Sequence, residues 1–364
     1  MAVCIYQCVT LWHMSICARI VVTMNPRERI EEREYDVLSP RAFHVKEAKR
    51  AHAEAKDPLR TDFARDRDRI LHSNSFRRMK HKTQVYIAPQ GDHYRTRMTH
   101  TLEVAQIGRT MARALSLNED LVEAIALGHD LGHTPFGHVG EQALKEIYGH
   151  FEHNEQSVRI AERLERDGAG LNLTLPVLDG MLNHCGPLKA HTLEGSLIKY
   201  ADRIAYLCHD YEDAESMGLI TATDVPEEIR HRIGTTHSSM ITAMVTDVVE
   251  HSMQDETDGI HMCEEGDRIL LDFRRFMFRA VYMSDNLIPD RDRGSHVVKM
   301  LFSYYTERDR SGACYDRLPE KQLRLAGGDI PRAAVDYISG LTDNFAINLY
   351  EDIFVPRYWT FKKG

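Results

Sequence analysis

The 364-residue chain lacks a Gly/Ser-rich linker, an internal repeat and any sustained alternation of β-branched residues. That absence argues against a sheet-based architecture, and the helical period that runs through most of the chain predicts an all-α protein. Positive charge is also in deficit. Forty-six Lys and Arg face 55 Asp and Glu, a formal charge of −9, which argues against a broad footprint for duplex nucleic acid. The seven cysteines show no paired spacing. They read as free thiols in a reducing, cytoplasmic compartment, and none stands where a thiolate-rich structural zinc site would need it. The opening "MAVCIYQCVTLWHMSICARIVVT" is apolar, yet Gln7, His13 and Arg19 interrupt it, and it has neither a basic flank nor a clear cleavage site. It makes a poor membrane span and a poor signal peptide. Residues 1–23 are either a true extension or the result of a start codon placed upstream of Met24, where the hydrophilic helical pattern "MNPRERIEEREYDVLSP" begins.

Two segments are charged without being obvious sites. Residues 44–58, "HVKEAKRAHAEAKDP", have few bulky apolar side chains and read as a solvated helix or mobile loop. Residues 60–82 hold eight Arg or Lys against three Asp, a local charge of +5. Such a run is either a salt-bridged helix face or a wall for phosphates.

The stretch "LGHDLGHTPFGHVGE", residues 127–141, concentrates three histidines, an aspartate and a glutamate between glycines. Upstream, Val104, Ile107, Met111 and Leu115 recur at helical steps, and His100 falls on the same stripe, which turns it inward. Asn118 is a candidate N-cap for a helix that buries Leu121, Val122, Ile125 and Ala126 and carries His129 one turn further along that face. Gly132 offers a helix stop and Pro135 bars immediate continuation. A new helix is expected near His138, with Ala143, Leu144 and Ile147 inward. His138 and Glu141, three apart, can share its face. In "SLIKYADRIAYLCHDYEDA", residues 196–214, Asp202, Tyr206 and Asp210 form a polar stripe beside Ile198, Ala201, Ala205 and Cys208, so that stripe faces either water or a site. A single inward histidine is more often a hydrogen-bonded core residue. Inward imidazoles and carboxylates on three helices together suit a divalent ion with positions open to water and phosphate. Mixed N and O donors favour Mn²⁺, Fe²⁺ or Mg²⁺, with Zn²⁺ and Ni²⁺ as alternatives. The three glycines at 132, 137 and 140 permit tight turns and close backbone approach.

The ordered segments "RDRILHSNSFRRMKHKTQVY", "RTRMTHTLEVAQIGR", "HDLGHTPFGHVGE", "FEHNEQS", "ADRIAYLCHDYEDA" and "AAVDYISGLTDNFA" resemble the HD-domain superfamily, specifically its deoxyguanosinetriphosphate triphosphohydrolase-like branch. The resemblance spans most of residues 24–346, and nothing in residues 1–23 belongs to it. It implies an HD-domain helical fold with additional N- and C-terminal helices: a helical segment over 24–75, a metal-binding catalytic core over 76–215 and a helical region over 216–364. It implies His100, His129, Asp130 and Asp202 as metal ligands, and His138 as the catalytic histidine with Glu141 as its carboxylate partner. It further implies His133 and His153 near the phosphates, Arg97 and Arg203 as phosphate-binding cations, and Gln84, Tyr206 and Asp210 around the deoxyribose 3′-hydroxyl. Thr134 departs from the proline that many members of the branch carry there. The implied activity is hydrolysis of a deoxynucleoside triphosphate to deoxynucleoside and inorganic triphosphate by a homo-oligomer. A second dNTP as activator and single-stranded DNA are further candidate partners, and no membrane is implied. The rival readings are an HD phosphohydrolase acting on another nucleotide phosphoester, and a regulatory binder of nucleotides or single-stranded nucleic acid.

Overall fold

The computed structural model describes residues 24–84, 95–254, 259–307 and 317–356, so the amino-terminal stretch 1–23 lies outside the described residues. Among those residues the regular structure is helical, with two isolated β-bridges, Arg50 to Thr174 and Thr83 to Thr96. No helix among them is long and apolar enough to cross a membrane. The chain opens with α1 (Pro26–Val37), α2 (Asp62–Leu71) and α3 (Asn74–Arg78). In α1, Asn25 and Glu28 form a reciprocal capping box and Pro26 occupies the first turn, as a helix start requires.

Four helices frame the site. They are α4 (Arg97–Ala114), α5 (Glu119–Gly128), α6 (His138–Tyr148) and α7 (His153–Arg159). Two more close it from behind, α8 (Leu175–Asn183) and the 24-residue α9 (Leu193–Ser216). Val104, Ile107 and Met111 of α4 are buried against Leu121, Val122 and Ile125 of α5 and Ile198, Ala201 and Ala205 of α9 in one apolar core. The Asn118 side chain accepts from Leu121 N at 3.2 Å, so this cap fixes the entry angle of α5 and with it the place where His129 emerges. The rest of the chain forms α10 (Glu227–Ile233), α11 (His237–Gln254), α12 (Glu264–Met277), α13 (Ile288–Thr306), α14 (Glu320–Leu325), α15 (Ile330–Ser339) and α16 (Asp343–Phe354). A second core joins Ala143 and Leu144 of α6 and Phe136 before it to Val298 and Leu301 of α13 and Val335 and Ile338 of α15.

The two charged segments resolve differently from one another. Residues 44–58 do not form the solvated helix: beyond the short turn Val45–Glu47 the backbone is irregular. Val45 is fully buried, and the Arg50 guanidinium is drawn into an ion-paired cluster with Asp66 and Asp62. In the basic run, Arg60, Arg67 and Arg69 pair with Asp68, Glu123 and Glu54, which makes that part a salt-bridged face. Lys82 instead turns inward. It is fully buried and donates to the carbonyls of His133 and, at 2.7 Å, Ser339. Burial and the neighbouring Arg78 charge push its ammonium down to about 7.

Candidate active site

Each candidate metal ligand comes from the end of a helix or from one face of a long one. His129 caps the C-terminus of α5, where its Nδ1 donates to Ala126 O at 2.7 Å. That bond fixes the tautomer and leaves Nε2 with its lone pair free, buried and without a hydrogen-bond partner among the described residues. Around it stand Asp130 Oδ1 at 3.4 Å and Asp202 Oδ1 at 3.8 Å, and Asp202 Oδ1 is 3.0 Å from His100 Nε2. Burial alone would push the Asp130 carboxyl up. The neighbouring His129, His133 and Arg97 outweigh that and hold it well below the usual carboxylate range. Separations of 3.0–3.8 Å suit donors that share one ion at about 2.0–2.2 Å, and the orphaned Nε2 of His129 is a ligand atom without a hydrogen bond among the described residues. The donor set therefore fits a divalent cation.

Beside it lies a second histidine–carboxylate group, His138, Glu141 and His153. The turn 129–137 ends on Phe136 and Gly137, both at positive φ (63° and 57°), held by Asp343 Oδ1 accepting from Phe136 N at 3.0 Å. At Gly137 a side chain would meet both the left-handed backbone and Arg97 Nη2, so glycine is required twice over. From this turn α6 starts with His138, whose side chain is 75% exposed while its Nδ1 lies 3.0 Å from Glu141 Oε2. Glu141 is shared: its Oε1 accepts from the backbone N of His153 at 2.8 Å and faces His153 Nδ1 at 2.9 Å. Burial would raise the Glu141 carboxyl, but the His153 charge and the bonds from His138 and His153 hold it far below the usual range. His133 stacks on His153 with ring centroids 4.0 Å apart, and its Nε2 is 3.4 Å from Asp130 Oδ1. Burial, then the Arg97 and His153 charges, push the His133 imidazole well below its usual value.

Arg97 opens α4, buried, with Nη1 bound to Asp130 Oδ2 at 2.8 Å and with Nε and Nη2 unpartnered among the described residues. Gln84 Oε1 is likewise buried and unpartnered, and the Gln84 carbonyl lies against Gly137. On α9, Asp202, Arg203 and Tyr206 are half-buried, whereas Asp210 is buried and accepts the Tyr282 hydroxyl at 2.6 Å. Burial pushes the Asp210 carboxyl up to about 7 in spite of that bond.

Gly132 is not the helix stop that the sequence suggests, since α5 ends at Gly128 with His129 as its cap; the glycine is needed for a close approach instead. A Cβ there would fall within the backbone of His153 and Ser157, because α7 crosses the turn at that point. Gly132→Ala is expected to destabilise the protein by about 1–3 kcal/mol or more. An unchanged urea midpoint would show that the α7 crossing yields freely.

A family described as "HD domain" matches residues 97–207, and a "Phosphohydrolase-associated domain" matches residues 260–352. Fold and site thus define an HD-domain phosphohydrolase. Proteins named "Deoxyguanosinetriphosphate triphosphohydrolase-like protein" are close relatives: 48% identical in Caldanaerobacter subterraneus subsp. tengcongensis, covering 92% of this chain and 98% of the relative. Those of Desulfatibacillum aliphaticivorans and Clostridium tetani are 44% and 42% identical, each over 92% of this chain and 99% and 97% of their own lengths. The chain belongs to this deoxyguanosinetriphosphate triphosphohydrolase-like family.

Three participants escaped the sequence reading. His184, the C-cap of α8, sends its Nε2 to within 3.2 Å of His153 Nε2. Its signal was present, since Val177, Met181 and His184 continue a buried stripe just as His100 does on α4. Lys82 and Asp343 tie the 129–137 turn to the C-terminal helices, and the sequence carries no local sign of either.

Proposed function

We propose that this protein hydrolyses deoxynucleoside triphosphates to the deoxynucleoside and inorganic triphosphate, with His100, His129, Asp130 and Asp202 holding a divalent cation. The observation that carries the reading is the union of two donor groups in one site. The orphaned Nε2 of His129 stands among carboxylates, and the His138–Glu141 pair adjoins it through His133. The cation supplies Lewis acidity towards water and phosphate oxygen. The ionised Glu141 only accepts, so it holds the Nδ1 proton of His138 and aims Nε2 outward to deliver a proton to the departing 5′-oxygen. Proton transfer from such a positioned imidazole contributes about 10²–10⁴-fold. His153 acts through Glu141, bracing the carboxylate from behind. The unpartnered Nε and Nη2 of Arg97 are ready donors for phosphate oxygens, and Arg203, half-buried on α9 next to Asp202, is the second cation assigned to the phosphates.

For the sugar, Tyr206 lies one turn beyond Asp202 on the same face of α9, and Asp210 one turn further. A ring at that position closes against the sugar C2′. Asp210, with one oxygen taken by Tyr282, accepts the 3′-hydroxyl with what remains. A 2′-hydroxyl would meet the ring unpaired, at a cost of about 1–3 kcal/mol. The expected preference is roughly tenfold to a hundredfold for a dNTP over its matched NTP in kcat/KM, narrowed in Tyr206→Ala. Chromatography of the products from each dNTP with Mn²⁺ tests the reaction itself. Nucleoside monophosphate and pyrophosphate, or equal use of dNTP and NTP, would overturn the reading.

A further inference from the structure

The His138–Glu141–His153 group ends in a second set of metal donors, of which the proposed hydrolysis uses His153 alone and leaves His184 and Cys185 without a role. His184 repeats the construction of His129. Each caps the C-terminus of an apolar helix, and each donates Nδ1–H to the carbonyl three residues back at 2.7 Å, Met181 O for His184 and Ala126 O for His129. In both the bond commits Nδ1 and leaves the Nε2 lone pair facing inward. Nε2 of His184 meets Nε2 of His153 at 3.2 Å, and the Cys185 thiol lies 3.8 Å from that same His153 atom. The donor atoms of His153, His184 and Cys185 all fall within 4.8 Å of one another.

The spacing decides what such a set can hold. Two imidazole lone pairs at this separation repel unless a proton or a cation lies between them. Tetrahedral Zn²⁺, with Zn–N of about 2.05 Å and Zn–S of about 2.3 Å, places its donors about 3.3 Å apart for N to N and about 3.6 Å for N to S. The observed 3.2 Å and 3.8 Å fall near both values. Each imidazole also has the partner that ligating histidines ordinarily have on their other nitrogen: Glu141 for His153 and Met181 O for His184. Both rings are buried and so pre-oriented. Cys185 is half-exposed, and Lys199 holds the Gly186 carbonyl next to it at 2.6 Å, so the thiol side remains the way in.

The geometry points to a second, soft divalent-cation site at His153, His184 and Cys185, with solvent in the fourth position and Zn²⁺ as the ion of matching chemistry. Its N₂S set differs from the N₂O₂ set around His129, and this difference sorts ions between the two: a thiolate favours Zn²⁺ over Mn²⁺ or Mg²⁺. Loading displaces the proton shared between His153 and His184 and the thiol proton of Cys185, so Zn²⁺ enters and protons leave. The ion then sits on the far side of His153 from Glu141. Its charge draws on the carboxylate that holds His138, and turnover falls. This inhibitory consequence rests on the proposed hydrolysis; the site itself does not.

The test uses the full-length protein, first loaded with Mn²⁺, then titrated with Zn²⁺ or Co²⁺ and gel-filtered. One further equivalent of Zn²⁺ should be retained. Co²⁺ should develop a thiolate-to-metal charge-transfer band in the near ultraviolet. Cys185→Ser should lose the band and weaken the second equivalent on the order of tenfold or more, while Mn²⁺-dependent turnover stays at the wild-type level. Zn²⁺ inhibition of the wild type should be relieved in the same variant. Retention of only one metal per chain, or a band that survives in Cys185→Ser, would overturn the site whatever substrate the enzyme takes. Equal Zn²⁺ inhibition of both proteins, with the band present only in the wild type, would overturn its regulatory consequence.

Discussion

Replacing His138 by alanine is expected to lower kcat by about 10²–10⁴-fold while the divalent ion and the nucleotide remain bound. Separation of these effects follows from how the residue is held. His138 is mostly exposed and, among the described residues, its side chain makes one hydrogen bond, to Glu141 Oε2. Its loss leaves Glu141 anchored by the backbone and ring of His153, so the site behind it keeps its shape. The melting temperature should therefore hardly move. Glu141→Gln should behave otherwise, because an amide cannot accept from His138 and from both His153 groups at once, and it should lower thermal stability as well as turnover. Steady-state kinetics, with equilibrium binding of a dNTP to the Mn²⁺-loaded variant, provides the check. Near-normal turnover in His138→Ala would shift the proton transfer to His133 or to solvent.

The second large effect is the loss of the cation in His129→Ala. The wild-type imidazole presents a buried Nε2 with no hydrogen-bond partner among the described residues, and an atom in that state is costly unless a ligand completes it. Removing the ring deletes that ligand together with one hydrogen bond to Ala126 O, worth about 1 kcal/mol, so the fold should survive. Metal analysis after gel filtration should find the ion in the wild type and not in the variant. Added Mn²⁺ at a hundredfold excess over its dissociation constant should stabilise the wild type by about 2.7 kcal/mol and the variant by far less. Asp130→Ala should lose the metal too, but with a greater stability cost, since Arg97 Nη1 is then left buried without its carboxylate.

The helices and the inward histidines were legible because each carries a local signature. Asn118 caps α5 as its position suggested, α6 does begin at His138, and His100 does lie on the buried stripe of α4. Period and capping are properties of a dozen neighbouring residues, and they survive in one dimension. What stayed hidden is contact across the chain. Lys82 meets Ser339, and Phe136 N meets Asp343 Oδ1, over more than 200 residues of separation. These bonds, with Asp336 bound to Gln156 and Arg159, explain why the segment 333–346 belongs to the site although none of its residues lines the proposed ion. The basic run of residues 60–82 shows the same limit. Its composition could not say which cations face acids of the same surface and which, like Lys82, go inside. The second role of Glu141, as a brace shared with His153, was equally invisible, because spacing predicts the partner three residues away and not the one arriving from another helix.

The most direct test of the account is turnover of a dNTP in oxygen-18-enriched water, with the products resolved by mass spectrometry. Attack on the α-phosphorus with departure of the 5′-oxygen puts one labelled oxygen into inorganic triphosphate and leaves the deoxynucleoside unlabelled. Label in orthophosphate or pyrophosphate, with a nucleotide as the other product, or label in the 5′-hydroxyl, would contradict it.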